Sequence, residues 1–319
     1  MQWLTRTACA ATAAAASLAV FAAGASAAAP PLGPAHVVRH LDPAAGQQPE
    51  NLTVEADGST VLTMAFSHQV DRLTPDGALH VLGTLPAPPD GTRAPLTGRA
   101  FAGGIVRAPD GTLYVLYSAG TDALTGLWRL RPGSAPSRIA ALPGGSVPNG
   151  LVLYGDSFYA TDSARGAVWR IPRGGGAAAV WKAGPELEAR TADGFGANGL
   201  KVRHHALWVT NMDRGTLVRI PIGRHGEAGA VHTVADGLGS VDDFAFTGEG
   251  DSVLAADNQG ADVELVRADG SHTVVLTAAD GLRNPTSVAR RGNTVYVTDA
   301  AYVSGTDPKL LSARLLHRR

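Results

Sequence analysis

Apolar residues in this chain fall in short runs punctuated by Gly, Pro, Asp and Asn, a spacing that predicts strands and turns with little helix. The runs repeat. A block P-E-N-L-T at Pro49 recurs as A-G-G-I-V at Ala102, P-N-G-L-V at Pro148, A-N-G-L-K at Ala197, V-D-D-F-A at Val241 and P-T-S-V-A at Pro285. Successive blocks lie 53, 46, 49, 44 and 44 residues apart. Each leads through a turn into a second β-rich run, such as V-L-T-M-A (61–65), L-Y-V-L-Y (113–117), F-Y-A-T-D (158–162) or V-Y-V-T-D (295–299). A third run follows, as in Q-V-D-R-L (69–73), G-L-W-R-L (126–130) and T-L-V-R-I (216–220). A turn such as Pro75-Asp76-Gly77 then introduces a fourth, as in H-V-L-G-T-L (80–85). Four antiparallel strands in about 40–50 residues make one propeller blade.

Six blocks therefore predict an all-β, six-bladed β-propeller with four antiparallel strands per blade. The sixth unit supplies only three strands before the chain ends, the last being K-L-L-S-A-R-L (309–315). Near the other end, H-V-V-R-H-L (36–41) resembles the fourth strands. Pairing the N- and C-terminal strands in one blade would close the ring and remove its open edges. Residues 28–319 are expected to form one domain.

Composition narrows the function. Of 319 residues, 45% are hydrophobic and 17% charged, with 27 Lys and Arg against 28 Asp and Glu. That is too apolar for disorder and lacks the basic excess of a nucleic-acid binder, so no nucleic-acid partner is expected. Arg6, the uncharged Ala-rich stretch 7–24 and Ala25-Ser26-Ala27 read as a cleaved signal peptide over residues 1–27. The mature protein would then be secreted and free of the membrane. Cleavage also removes Cys9, the only cysteine, which excludes disulfides, thiol nucleophiles and Cys-ligated metals. The sequence contains no P-loop, dinucleotide fingerprint, G-x-S-x-G elbow or H-E-x-x-H motif.

Repeats make equivalent positions converge. If each block opens the innermost strand of its blade, its second residue sits at one mouth of the central channel. Those residues are Glu50, Gly103, Asn149, Asn198, Asp242 and Thr286. Four carry carboxylate or amide oxygens, a donor set for a hard divalent cation such as Ca²⁺, with Mg²⁺, Mn²⁺ or Zn²⁺ as alternatives. Taken singly, Asn-Gly and Asp-Asp steps are also ordinary turn chemistry. Their shared repeat phase is what suggests a site.

The blocks P-E-N, V-P-N-G-L, A-N-G-L-K and V-D-D-F-A-F resemble those of the senescence marker protein/gluconolactonase family of six-bladed propellers, over essentially the whole mature chain. The resemblance implies Glu50, Asn198 and Asp242 as metal ligands and Asn149 as a substrate-side amide. It also implies a small-molecule substrate, a lactone or ester hydrolysed with Asp242 as the base. Two departures stand out. The family's P-D-G is V-D-D here, so Asp243 competes with Asp242, although repeat phase favours Asp242. The usual R-P-N-D is V-P-N-G, which removes an Arg and an Asp from beside Asn149 and weakens the case for a sugar lactone. The run from Ala197 to Phe246 is closer to a branch that includes fungal hetero-Diels–Alder catalysts. A cyclase or pericyclase of secondary metabolism, or a non-catalytic binding propeller, therefore stands beside the hydrolase as an alternative.

Other residues are assigned lesser roles. His68 follows the second strand of the first blade and could reach the mouth, whereas His204 and His205 fall in a predicted turn. Arg72, Arg129, Arg170 and Arg219 share one phase of the third strands and read as structural or exterior. Trp128, Trp169 and Trp208 read as blade packing. The long segments 86–100 and 184–197 border the same mouth and are the expected sources of substrate choice.

Overall fold

The computed structural model describes residues 31–316. The predicted signal peptide, with Arg6 and Cys9, lies outside the described residues. Strand β1 (His36–His40) is followed by the four strands of blade one: β2 (Pro49–Val54), β3 (Thr60–Met64), β4 (Gln69–Leu73) and β5 (Leu79–Thr84). Blade two comprises β6 (Phe101–Arg107), β7 (Leu113–Ser118), β8 (Gly126–Leu130) and β9 (Ser137–Ala141). Blade three comprises β10 (Pro148–Tyr154), β11 (Ser157–Asp162), β12 (Ala167–Pro172) and β13 (Ala179–Ala183). In blade four they are β14 (Ala197–Arg203), β15 (Ala206–Asn211), β16 (Thr216–Pro221) and β17 (His232–Ala235). Blade five holds β18 (Val241–Phe246), β19 (Val253–Asp257), β20 (Asp262–Val266) and β21 (His272–Leu276). Blade six holds β22 (Pro285–Arg291), β23 (Thr294–Asp299) and β24 (Lys309–Arg314), with β1 as its outermost strand.

The ring closes as the sequence predicts. β1 runs antiparallel to β24, from His36 opposite Ser312 to His40 opposite Lys309. A bridge between Leu32 and Leu315 extends the seam. The first strands of the blades neighbour one another in turn, with β2 and β22 completing the circle. Two single-turn 3₁₀ helices, Pro43–Ala45 and Ala278–Asp280, are the only helical elements among the described residues. No helix there is long and apolar enough to cross a membrane.

The core is divided into six apolar clusters, one at each contact between neighbouring blades. Val61 and Val70 face blade two, while Leu62 and Leu73 face blade six. Both faces of a blade are thus covered, so the middle strands read as continuous apolar runs and alternation weakens in them. Trp128, Trp169 and Trp208 are buried in these clusters, as expected of packing residues. The outermost strands keep one face in water, and β1 is exposed along its whole length.

Each recurring block is a β-bulge. The register between first and second strands shifts immediately around the second block residue in all six blades, from Pro49/Asn51 to Pro285/Ser287. A bulge re-aims side chains, which turns the second residue toward the mouth. A threonine on the adjoining strand holds several bulges. Thr210 Oγ1 accepts from Gly199 N at 2.7 Å and donates to Asp242 O in the next blade at 2.5 Å. Thr161 makes the same pair of bonds to Gly150 N and Asn198 O. Glycine follows Asn149 and Asn198 because the next strand comes so close. A Cβ on Gly150 would lie 2.5 Å from Asn198 O, and one on Gly199 would lie 2.7 Å from Asp242 O.

Candidate active site

Glu50, Asn149, Asn198 and Asp242 all line one cavity of about 280 Å³ at the mouth of the ring. Each enters from the bulge of a different blade, and all four are buried. Gly103 and Thr286, the other residues of this phase, serve the scaffold. Thr286 Oγ1 donates to Pro49 O at 2.9 Å and joins blade six to blade one beside Glu50.

Asp242 and Asp243 have separate surroundings. Asp243 receives Lys201 Nζ at 2.6 Å, Asn51 Nδ2 at 3.0 Å and Ser287 Oγ at 2.8 Å. It occupies the position of Gly150 and Gly199 in their blocks, and its partners tie three blades together around the channel. Asp242 instead lines the cavity, with Oδ2 accepting from Asn258 Nδ2 at 3.2 Å.

The polar floor is short of partners. Asn149 Oδ1 and Asn198 Oδ1 are buried and accept no hydrogen bond. The Tyr302 hydroxyl donates to Glu50 Oε2 at 2.6 Å. Burial pushes Glu50 up to about 7, against the Tyr302 hydrogen bond, and the Asp243 charge adds to the rise. Asp242 is raised well above the usual carboxylate range by burial first, then by the charges of Glu50 and Asp243. Two buried carboxylates and two unpartnered amide oxygens form an all-oxygen donor set that fits a divalent cation.

The wall is apolar. Phe66, Phe101, Phe195 and Met212 line the cavity together with the Tyr302 ring. Phe66 packs edge-on to Tyr302 with centroids 5.4 Å apart and lies 6.1 Å from Phe101. The Arg99 guanidinium sits 3.4 Å from the Phe66 centroid. Segments 86–100 and 184–197 do reach the mouth, through Thr97 and Phe195. The connections between second and third strands contribute more, through Phe66, Met212, Asn258, Gln259 and Tyr302. Sequence reading missed these residues because they fall outside the repeated block. Only Met212 and Asn258, each directly after the last residue of its blade's second strand, stand at a recurring position.

The remaining candidates lie elsewhere. His68 is half-buried against Tyr117, 5.3 Å between centroids, and is not among the lining residues. His204 and His205 occupy the β14–β15 turn at the far end of that hairpin, where His204 meets Asp251 and His205 meets the Tyr154 hydroxyl. Arg72 pairs with Glu55 and Asp57 on the exterior. In blade five, Asp257, Asp262 and Glu264 bring carboxylate oxygens within 4.8 Å of one another, an acidic cluster that could hold a metal. Much of that cluster is already bonded: Asp257 accepts from Ser240 N and Gly260 N, and Glu264 meets His272.

No protein-family model matches the chain, and no curated protein matches it. Solved structures share its fold. Regucalcin from Agrobacterium tumefaciens, described as a calcium-binding protein, aligns with a TM-score of 0.64 and 16% identity, over 89% of this chain and 94% of its own. A gluconolactonase from Xanthomonas campestris aligns with a TM-score of 0.62 and 15% identity, over 90% and 97%. A catalytically inactive virginiamycin B lyase from Staphylococcus aureus gives 0.59 and 18%, over 85% and 81%. The chain is a propeller of the gluconolactonase and regucalcin type in its fold.

Proposed function

We propose that this chain is a metal-dependent hydrolase that opens a lactone or ester. The observation that carries the reading is the convergence of Glu50, Asn149, Asn198 and Asp242, from four bulges, on one cavity with two unpartnered amide oxygens. Glu50, Asn198 and Asp242 would hold the ion, and the donor set favours Ca²⁺. When bound, such an ion polarises a carbonyl and stabilises the oxyanion that develops on it. Tyr302 fixes the rotamer of Glu50, and Asn258 fixes that of Asp242. Asn149 orients the substrate with its amide. Water adds to the carbonyl carbon while Asp242 takes its proton. The acyl C–O bond then breaks, and the proton passes to the departing alkoxide.

The neighbours described as a gluconolactonase and a calcium-binding regucalcin support this reading at the level of fold. The aromatic wall favours a second reading, a cyclase that orients an apolar substrate without needing ionised Asp242. A panel of lactones and esters, with and without Ca²⁺, Mg²⁺, Mn²⁺ and Zn²⁺, separates them. Turnover should require a divalent ion and fall about 100-fold or more in Asp242→Ala, and chelation should lower Tm. A folded, Ca²⁺-saturated protein that opens no lactone or ester overturns the hydrolase. The N-terminal segment supports action outside the cytoplasm, and the exported protein should begin at Ala28 by N-terminal sequencing.

A further inference from the structure

Resting on the hydrolase reading, we propose that the substrate is a compact lactone or ester with an alkyl or aryl body, and that the polyhydroxylated lactones of sugars are poor substrates. Polar capacity in the cavity is nearly exhausted before a ligand enters. The Tyr302 hydroxyl is committed to Glu50. Asn258 Nδ2 bonds both Asp242 and Pro285 O, and Thr97 Oγ1 bonds the carbonyls of Arg99 and Pro95. With Glu50, Asn198 and Asp242 gathered around an ion, Asn149 and the exposed Gln259 remain for the substrate. The amide N–H groups of that set can position one carbonyl and a ring oxygen. Its amide oxygens, with Asn258 Oδ1, can accept from a few hydroxyls at most, fewer than a sugar lactone carries together with their own acceptor needs. Further hydroxyls would be buried without partners, and a site lacking such partners rejects them.

The opposite wall supplies what an apolar body needs. Phe66, Phe195 and Met212 are only partly buried in the protein itself, so their uncovered surface faces the cavity. Phe66 is clamped between Tyr302 and the Arg99 guanidinium, which makes the wall rigid. A volume of about 280 Å³ lies at or just below the small end of ligand cavities, about 300–1,000 Å³ in general, and limits the substrate to a lactone ring or ester with one substituent of about phenyl size.

The test uses the full mature protein in Ca²⁺ with two matched series. One is δ-lactones bearing hydrogen, butyl, phenyl or sugar hydroxyls. The other is the corresponding lactams, which keep the ring and carbonyl but resist hydrolysis. The butyl and phenyl lactones should exceed the sugar lactone at least about tenfold in kcat/KM, and their lactams should bind correspondingly tighter by calorimetry. Phe195→Ser should raise KM for the butyl and phenyl lactones severalfold more than for the unsubstituted lactone, abolishing most of that preference. Met212→Ser provides the same comparison if the first variant lowers Tm. Sugar lactones opened as well as or better than the phenyl lactone would overturn the proposal and leave the hydrolase standing. Apolar lactams bound without turnover of any lactone would sink the hydrolase and leave the apolar preference standing. Equal or absent binding across the lactams, without turnover, would overturn both.

Discussion

Asp71 in β4 is a carboxylate enclosed between Leu62 on one side and Val81 on the other, with neither oxygen hydrogen-bonded. Burial raises it to about 6. Its folded value therefore exceeds its unfolded value, so the protonated form stabilises the fold below about pH 4, and that contribution is lost as pH rises through about 6. Asp71→Asn should be insensitive to this change. From pH 4 to pH 7 its stability relative to the parent should improve by about 2 kcal/mol, measured by denaturant unfolding at each pH. An unchanged difference would mean that Asp71 is paired in solution. Single residues differed in how visible they were beforehand. Glu50, Asn149, Asn198 and Asp242 stood out because each recurs at one phase of the repeat. Tyr302 lies in the β23–β24 connection, residues 300–308, which is longer than its counterparts in the other blades, so no periodicity could mark it. The choice of Asp242 over Asp243 followed phase, but its physical basis, the capture of Asp243 by Lys201, Asn51 and Ser287, depends on three distant segments meeting.

Among elements, the strands were legible because turn residues bracket every run, and most bounds agree within a residue or two. The bulge was not. A block such as A-N-G-L-K reads as a plain strand start until its partner strand shows two residues opposite one. The same geometry explains why Gly follows Asn twice. Gly150→Ala would set a methyl 2.5 Å from Asn198 O and 2.6 Å from Leu200 N, both backbone atoms with nowhere to retreat. The variant should lose about 2 kcal/mol or more in thermal or chemical unfolding. It should also lose much of any Ca²⁺-induced rise in Tm, since Asn198 must move with its strand. An alanine there that leaves both quantities intact would show that the innermost strands separate easily.

At the scale of the whole molecule, six interfaces of similar make-up share the core, and the terminal seam decides whether all six exist. A chain beginning at Asp42 would lack β1, Leu32 and Leu41, uncovering apolar surface and the free edge of β24. Such a truncation should cost more than about 3 kcal/mol and promote aggregation, read by unfolding and by light scattering. That seam also has a meaning in time. Of the described strands β1 is made first and its partner β24 last, so the β1 edge waits unpaired while the blades between them are produced. Blades one to five can each form from contiguous chain, but the sixth is a long-range event of high contact order and slow by nature. Because Glu50 stands in blade one, against blade six, the constellation at the mouth is assembled only when β22–β24 have arrived. An incomplete chain emerging from a ribosome or a translocation pore would therefore carry all the chemistry of the site in its sequence and none in its shape.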